Sequence, residues 1–288
     1  REGVNVAKEN DVDFVLAVGG GSVVDSAKLI AAGFYTDSDP WDIVIKKEKV
    51  TNALPLGSIL TLAATGSEMN TGSVISNEET GQKLGWGSEY VRPKFAIMNP
   101  EYTYSVDSYH TAAGTVDIMS HTMENYFTLN DGAYLNDRFA EGILKTCIKY
   151  GPIAIKESDN YEARANLMWA NSWAINGLIS AGKSTEWSVH AMEHELSALR
   201  DITHGVGLAI LTPAWLEYCL DDETSEKIAT FGYNVFDIEK TDSQIDDAKK
   251  AIEALKNFLE SLGINLSLKE EGFSEEDLPI MTKNCLDN

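Results

Sequence analysis

Four of the five histidines in this 288-residue chain fall into two groups whose spacing suits a metal ion. Asp117 and His121 are separated by three residues, as are His190 and His194, and His204 follows shortly after. On a helix, side chains at i and i+4 stand one above the other on a single face. A carboxylate and an imidazole from one helix, facing two or three imidazoles from another segment, could surround one divalent cation. Such a set of nitrogen and oxygen donors accommodates iron(II) or zinc, and donor softness does not choose between them. Each histidine could instead be a hydrogen-bonded core residue. Spacing alone leaves Asp117, His121, His190, His194 and His204 as equivalent candidates.

A second chemical feature lies near the start of the chain, where Gly19-Gly20-Gly21-Ser22 joins an apolar run to a helical pattern. Glycines allow a tight turn and close approach of the backbone, and a helix N-terminus offers free N–H groups to an anion. A phosphate or pyrophosphate would suit such a turn. The turn matches neither common fingerprint: GxGxxG would need glycine where Val24 stands, and a phosphate loop would need Gly-Lys followed by Ser or Thr. Asp25, in the first helical turn, could face a ligand or simply complement the helix dipole. Thr61, Thr65 and Ser67 form another polar turn, which could bind phosphate or ribose oxygens or merely cap a following helix. A dinucleotide beside a Lewis-acidic metal would suit hydride transfer to or from an alcohol carbon.

The elements that must carry these groups change character near residue 105. Before it, the apolar stretches 13–18, 53–59 and 94–98 read as strands and 23–34 as a helix, with a helix also running through 4–9. The Gly-, Ser- and Thr-rich stretch 71–90 reads as a hairpin or loop. This alternation indicates an open α/β sheet. After it, helical periodicity covers 113–126, 137–150, 161–179, 187–198 and 206–220. Ile252, Leu255, Leu259 and Leu262 stripe a further helix that Gly263 stops, and residues 274–277 resemble a capping box for one more. The expected organisation is therefore an α/β dinucleotide-binding domain at 1–105 and an all-helical metal-binding domain at 106–288. Trp169, Trp173 and Trp187 could line an apolar pocket beside the metal, or be plain core.

Composition narrows the range of partners. A net charge of −22 leaves no basic stripe for nucleic acid or an anionic membrane. Cys147, Cys219 and Cys285 are isolated, so neither a disulfide framework nor a thiolate metal site is expected. No apolar run is long enough to span a bilayer, and no signal peptide opens the chain, which together point to the cytoplasm.

Taken together, these segments resemble the iron-containing, or group III, alcohol dehydrogenases, and most of all their NAD(P)H-dependent butanol dehydrogenase and broad aldehyde reductase branch. The resemblance rests on the run from Val18 to Asp25, on Ala64-Thr65-Gly66-Ser67-Glu68, on Asp117, His121, Glu124 and Tyr126, on Arg138 to Gly142, and on His190, His194, Glu195 and Leu196 with His204-Gly205. It implies a dehydroquinate synthase-like fold, with an α/β cofactor domain, an all-helical domain and the active site between them. The implied metal ligands are Asp117, His121, His190 and His204, with His194 beside the site near the nicotinamide, assisting substrate placement or proton transfer. The resemblance likewise implies that Gly19, Gly20, Gly21 and Ser22 hold the pyrophosphate of NAD or NADP, with Asp25 near the nicotinamide end. Thr61, Thr65 and Ser67 would add cofactor contacts, and Lys83 would reach the nicotinamide ribose. A homodimer acting on a small alcohol or aldehyde is expected. Family chains begin with a further α/β segment and continue past the position of Asn288, so part of the adenosine pocket is expected to lie outside this chain.

Three positions depart from the family pattern. Asn99 stands where aspartate is usual before Pro100, Asp107 where proline is common, and His110 has no counterpart, so it reads as a surface residue. Two rival readings use the same metal group: a helical metallohydrolase that activates water, and a structural metal stapling the helices. Neither gives the glycine turn a role.

Overall fold

A computed structural model describes residues 1–128 and 132–287, apart from the side chain of Asp287. In chain order, the first elements are α1 (Glu2–Glu9), β1 (Val15–Gly19), α2 (Gly21–Gly33), α3 (Trp41–Val44), β2 (Leu56–Leu60), β3 (Gly72–Asn77), β4 (Gln82–Gly87) and β5 (Ala96–Ile97). The strands β1, β2 and β5 form a parallel sheet in that spatial order, with Val15 opposite Leu56 and Ser58 opposite Ala96. The stretch expected to be a hairpin or loop is the antiparallel hairpin β3–β4.

One face of the sheet is covered by α2, where Ala17, Val24 and Ala27 pack together. On the other face, Leu16 and Val18 of β1 are each about half exposed. A second small cluster joins Ala31 and Ala32 of α2 to Val44, Leu56 and Trp86.

From residue 108 onward the described chain is helical: α4 (Ser108–Tyr126), α5 (Tyr134–Lys156), α6 (Tyr161–Ile175), α7 (Ser188–Arg200), α8 (His204–Cys219), α9 (Ser225–Val235), α10 (Gln244–Ser261) and α11 (Leu278–Asp287). Helix α4 is the axis of this half. Every residue from Thr111 to Tyr126 is buried, as expected for a helix enclosed on all sides. Helices α5, α6 and α8 surround it. Asp107 caps α4, its carboxylate accepting from the His110 amide, so this departure from proline has a local structural role. His110 is exposed, as expected, and its ring also bonds Asp107.

Several boundaries differ from expectation. The helix expected at 161–179 ends at Ile175, and that expected at 137–150 continues past Pro152, which sits on its exposed side, to Lys156. The stop at Gly263 is kept, with φ of 84° just beyond Leu262. Ser274 and Asp277 do pair, the Ser274 amide donating to the Asp277 carboxylate ahead of α11. No helix among the described residues is long and apolar enough to cross a membrane.

Candidate metal centre and cofactor cleft

The central helix α4 brings Asp117 and His121 inside the protein, where both are almost fully buried. The Asp117 Oδ1 lies 3.4 Å from His121 Nε2, 3.9 Å from His190 Nε2 and 3.7 Å from His204 Nε2. Asp117 Oδ1 and His190 Nε2 are buried and have no hydrogen-bond partner. Leaving such atoms unpaired is costly. Two donors each about 2.1 Å from one tetrahedral ion stand about 3.4 Å apart, so these separations fit a shared divalent cation.

The charges act on one another. Burial works to raise the Asp117 carboxyl, but the surrounding imidazoles prevail and hold it down at about 2. Burial pushes His121 down to about 3 against the pull of Asp117. His190 goes the other way: despite its burial, the neighbouring Asp117 and Glu124 carboxylates hold it up at about 9. The Glu124 carboxylate, one turn from His121 on α4, bonds His190 Nδ1 at 3.0 Å and also accepts from the His190 amide at 2.9 Å. That contact leaves Nε2 facing the other donors, the arrangement by which outer carboxylates orient metal-binding histidines. Glu124 belongs to the motif seen in the sequence, but its spacing from His121 gave no hint that it would meet α7.

Helices α7 and α8 supply the remaining imidazoles. His190 and His194 share one face of α7, and His204 is the first residue of α8. The next residue, Gly205, explains how His204 comes so close to α4. A Cβ at Gly205 would lie 2.0 Å from the carbonyl oxygen of Ala113, so the two helix backbones touch there. His194 stands apart from the Asp117 group, its ring centroid 5.8 Å from that of His204. Burial, reinforced by Lys83, pushes His194 down to about 3 and keeps its ring neutral. Trp187 lies beside the centre, with ring centroids 6.0 Å from His121 and 5.1 Å from His190. Trp169 and Trp173 do not join it. They pack edge to face against each other on α6, and Trp169 is more than half exposed. Helical periodicity places an aromatic on a face but does not say which neighbour that face meets.

The Asp117 group opens onto a cleft of about 910 Å3, whose opposite wall is the α/β half. Ser22, Asp25, Thr65, Ser67 and Lys83 line it, along with His194 and Trp187. Gly19, Gly20, Gly21 and Thr61 do not line it; they support it from behind. The Thr61 amide donates to the Gly19 carbonyl, joining the two turns at 3.1 Å. A Cβ at Gly21 would fall 2.3 Å from the Thr65 side chain, so this glycine is needed for the turns to meet. No helix follows Ser67, which rules out the reading of residues 61–67 as a helix cap.

Asp25 is likewise not a helix cap. Its carboxylate accepts from the Ser67 hydroxyl and, at 2.8 Å, from the Val74 amide. Burial raises the Asp25 carboxyl, opposed by these bonds and by Lys28. Lys28, fully buried three residues farther along α2, donates to Ser67 Oγ and Asn70 Oδ1 at 2.8 Å each and to the Gly72 carbonyl at 2.6 Å. Burial pushes its ammonium down to about 8 against the pull of Asp25 and Glu68. A lysine inside an apolar helical face was the one sequence signal for this network. The same loop is anchored to α6, since the Gly66 amide donates to Asn171 Oδ1 at 2.6 Å and Glu68 accepts from Asn171 and Ser172.

Comparison with known proteins covers both halves. Residues 1–100 match the family described as iron-containing alcohol dehydrogenase, and residues 111–288 the C-terminal family of Fe-containing alcohol dehydrogenases. The chain is 54% identical over 288 residues to NADH-dependent butanol dehydrogenase A of Clostridium acetobutylicum, covering 100% of this chain and 74% of that protein. It is 44% identical over 285 residues to the NADPH-dependent aldehyde reductase YqhD of Escherichia coli, covering 97% of this chain and 73% of that protein. The structure of an NADH-dependent butanol dehydrogenase A from Thermotoga maritima superposes with a TM-score of 0.95 at 41% identity, over 99% of this chain and 71% of that one.

Proposed function

The chain belongs to the iron-containing alcohol dehydrogenase family, and on that premise we propose that Asp117, His121, His190 and His204 hold its catalytic metal. The activity is NAD(P)H-dependent interconversion of an alcohol and an aldehyde, with a divalent metal as cofactor. The observation that carries the residue assignment is the buried, unpartnered Asp117 Oδ1, within 3.4 to 3.9 Å of three imidazole nitrogens at the floor of the cleft.

When bound there, the metal supplies Lewis acidity towards a substrate oxygen, and the nicotinamide supplies or accepts the hydride. The protein's own groups bind and orient. Glu124 holds the His190 ring by Nδ1, and α4 fixes Asp117 and His121 in one rigid frame. His194, neutral and adjacent, offers a ring nitrogen to hydrogen-bond the substrate oxygen and to relay its proton. Trp187 forms an apolar wall against His121 and His190 that limits water beside the reacting carbon. On the opposite wall, Ser22, Asp25, Thr65, Ser67 and Lys83 face the cofactor, while Gly19, Gly20, Gly21 and Thr61 shape the turn that carries it. The hydroxyls of Ser22 and Thr65 and the ammonium of Lys83 suit ribose and phosphate oxygens, and Ser67, its proton given to Asp25, supports that wall.

The same reading divides the chain into a cofactor domain at 1–105 and a metal domain at 106–288, supported by the change from sheet to helices between β5 and α4. It includes action in the cytoplasm as a homodimer on a small alcohol or aldehyde. The net charge of −22 supports the absence of a polyanionic partner. A hydrolase at the same metal would leave the polar wall opposite it without a task.

The test is to follow NADH and NADPH absorbance with butanal and protein loaded with iron(II) or zinc. Oxidation that requires both the metal and the aldehyde is expected. Absence of oxidation of either cofactor by any metal-loaded sample would overturn the reading.

A further inference from the structure

Glu193 lies one residue before His194, and its side chain is completely buried. Its Oε2 contacts His204 Nδ1, on the opposite edge of the ring from the Nε2 that faces Asp117. The same oxygen is 3.5 Å from the ammonium of Lys83, on β4 across the cleft. Its Oε1 accepts from the Ser197 hydroxyl, one turn along α7. Room for this carboxylate comes from α8: a Cβ at Gly207 would lie 2.8 Å from Glu193 Cγ and 3.0 Å from Oε1.

Glu193, His194 and His204 also bring donor atoms close enough to suggest a second metal group. The contacts argue against that. Both Glu193 oxygens are already engaged by protein donors, and His204 has a single nitrogen to turn towards either side. A buried carboxylate gripping the far nitrogen of a metal-binding imidazole fixes its tautomer and ring plane. The further contact with Lys83 places the same charge between the metal side and the cofactor side.

We propose that Glu193 is a positioning residue for the reaction, fixing His204 so that Nε2 faces the metal and holding Lys83 over the cofactor cleft. The proposal rests on His204 being a ligand. Nothing in the i, i+4 histidine pattern assigns Glu193 a task, and its position at i+3 from His190 places it on the same face of α7.

The test measures metal affinity by chelator competition, without cofactor or substrate, for wild type, Glu193→Gln, Glu193→Leu, His204→Ala and the double variant Glu193→Leu/His204→Ala. Loss of an outer partner of a metal-bound histidine weakens metal binding by about 10- to 100-fold. That loss is expected for Glu193→Leu, with a smaller one for Glu193→Gln, whose amide oxygen can still accept from Nδ1. In the His204→Ala background, the Glu193 substitution should change affinity by less than about twofold, because its effect travels through that ring. At saturating metal, both Glu193 variants should raise KM for NAD(P)H more than they lower kcat, through the loosened Lys83. Wild-type metal affinity in Glu193→Gln and in folded Glu193→Leu overturns the proposal, as does an undiminished Glu193 effect when His204 is absent. Wild-type affinity in His204→Ala would instead remove His204 from the ligand set.

Discussion

Around the candidate metal, the donors ride on α4, α7 and α8, which share one large apolar core, whereas across the cleft the polar groups sit on the first turns of α2, a loop and a hairpin backed by two small clusters. The helical half fixes its chemistry by packing. Asp117 and His121 move only if α4 moves, and α4 is enclosed throughout its buried length. The described α/β half has two small apolar clusters, joined by a buried polar network. Asp25, Lys28, Ser67 and Asn70 bind α2, the loop and the hairpin into one unit. Dense packing tolerates little displacement, while a polar network depends on every member being satisfied.

If the halves differ in this way, substitutions should separate their readouts. The largest effect is expected for Asp117→Ala. A metal supplying several kcal/mol of charge stabilisation corresponds to about a 10^3-fold loss of turnover, accompanied by loss of bound metal. Steady-state rates beside metal analysis check this, and a variant that keeps both would break the helical side of the comparison.

Lys28→Met should act on the other side. It leaves Ser67 Oγ, the Asn70 amide oxygen and the Gly72 carbonyl short of a buried donor, and leaving a buried polar group unsatisfied costs about 1 to 3 kcal/mol. Urea unfolding should show that loss, and KM for NAD(P)H should rise while metal content stays at the wild-type level. Metal content falling in step with stability would mean that the halves are not independently held.

Gly205→Ala reverses the pattern. The new methyl meets the Ala113 carbonyl at 2.0 Å, and such overpacking costs about 1 to 3 kcal/mol. Metal affinity should fall as α8 is pushed from α4, with KM for NAD(P)H little changed; an unaltered metal Kd would show that the close crossing does not set the position of His204. The smallest effect belongs to Trp169→Ala, at an exposed position away from the cleft. Turnover within about twofold of wild type is expected, and a large loss of rate would return Trp169 to the site.

The histidine groups and the glycine turn were legible because each is local. An i, i+4 pair needs only one helix, and three glycines between a strand and a helix need only the neighbouring backbone. The resemblance then separated His194 from four ligands. Lys28, Glu124 and Glu193 were not legible in this way. Their partners are the loop containing Ser67 and Asn70, helix α7 and the first residue of α8, all brought to them by folding. Trp169 and Trp187 show the same limit from the other side, since two similar residues took opposite environments.

By itself, then, the sequence determined the division into an alternating and a helical region, the residues able to bind a metal, and the turn able to face an anion. Each depends on backbone periodicity or on the chemistry of one residue type. Only the tertiary structure decided which donors converge on Asp117, which carboxylates hold their far nitrogens, and which side of each turn faces the cleft. Those outcomes depend on how closely helices cross, and a contact such as Gly205 against Ala113 joins segments far apart in the chain.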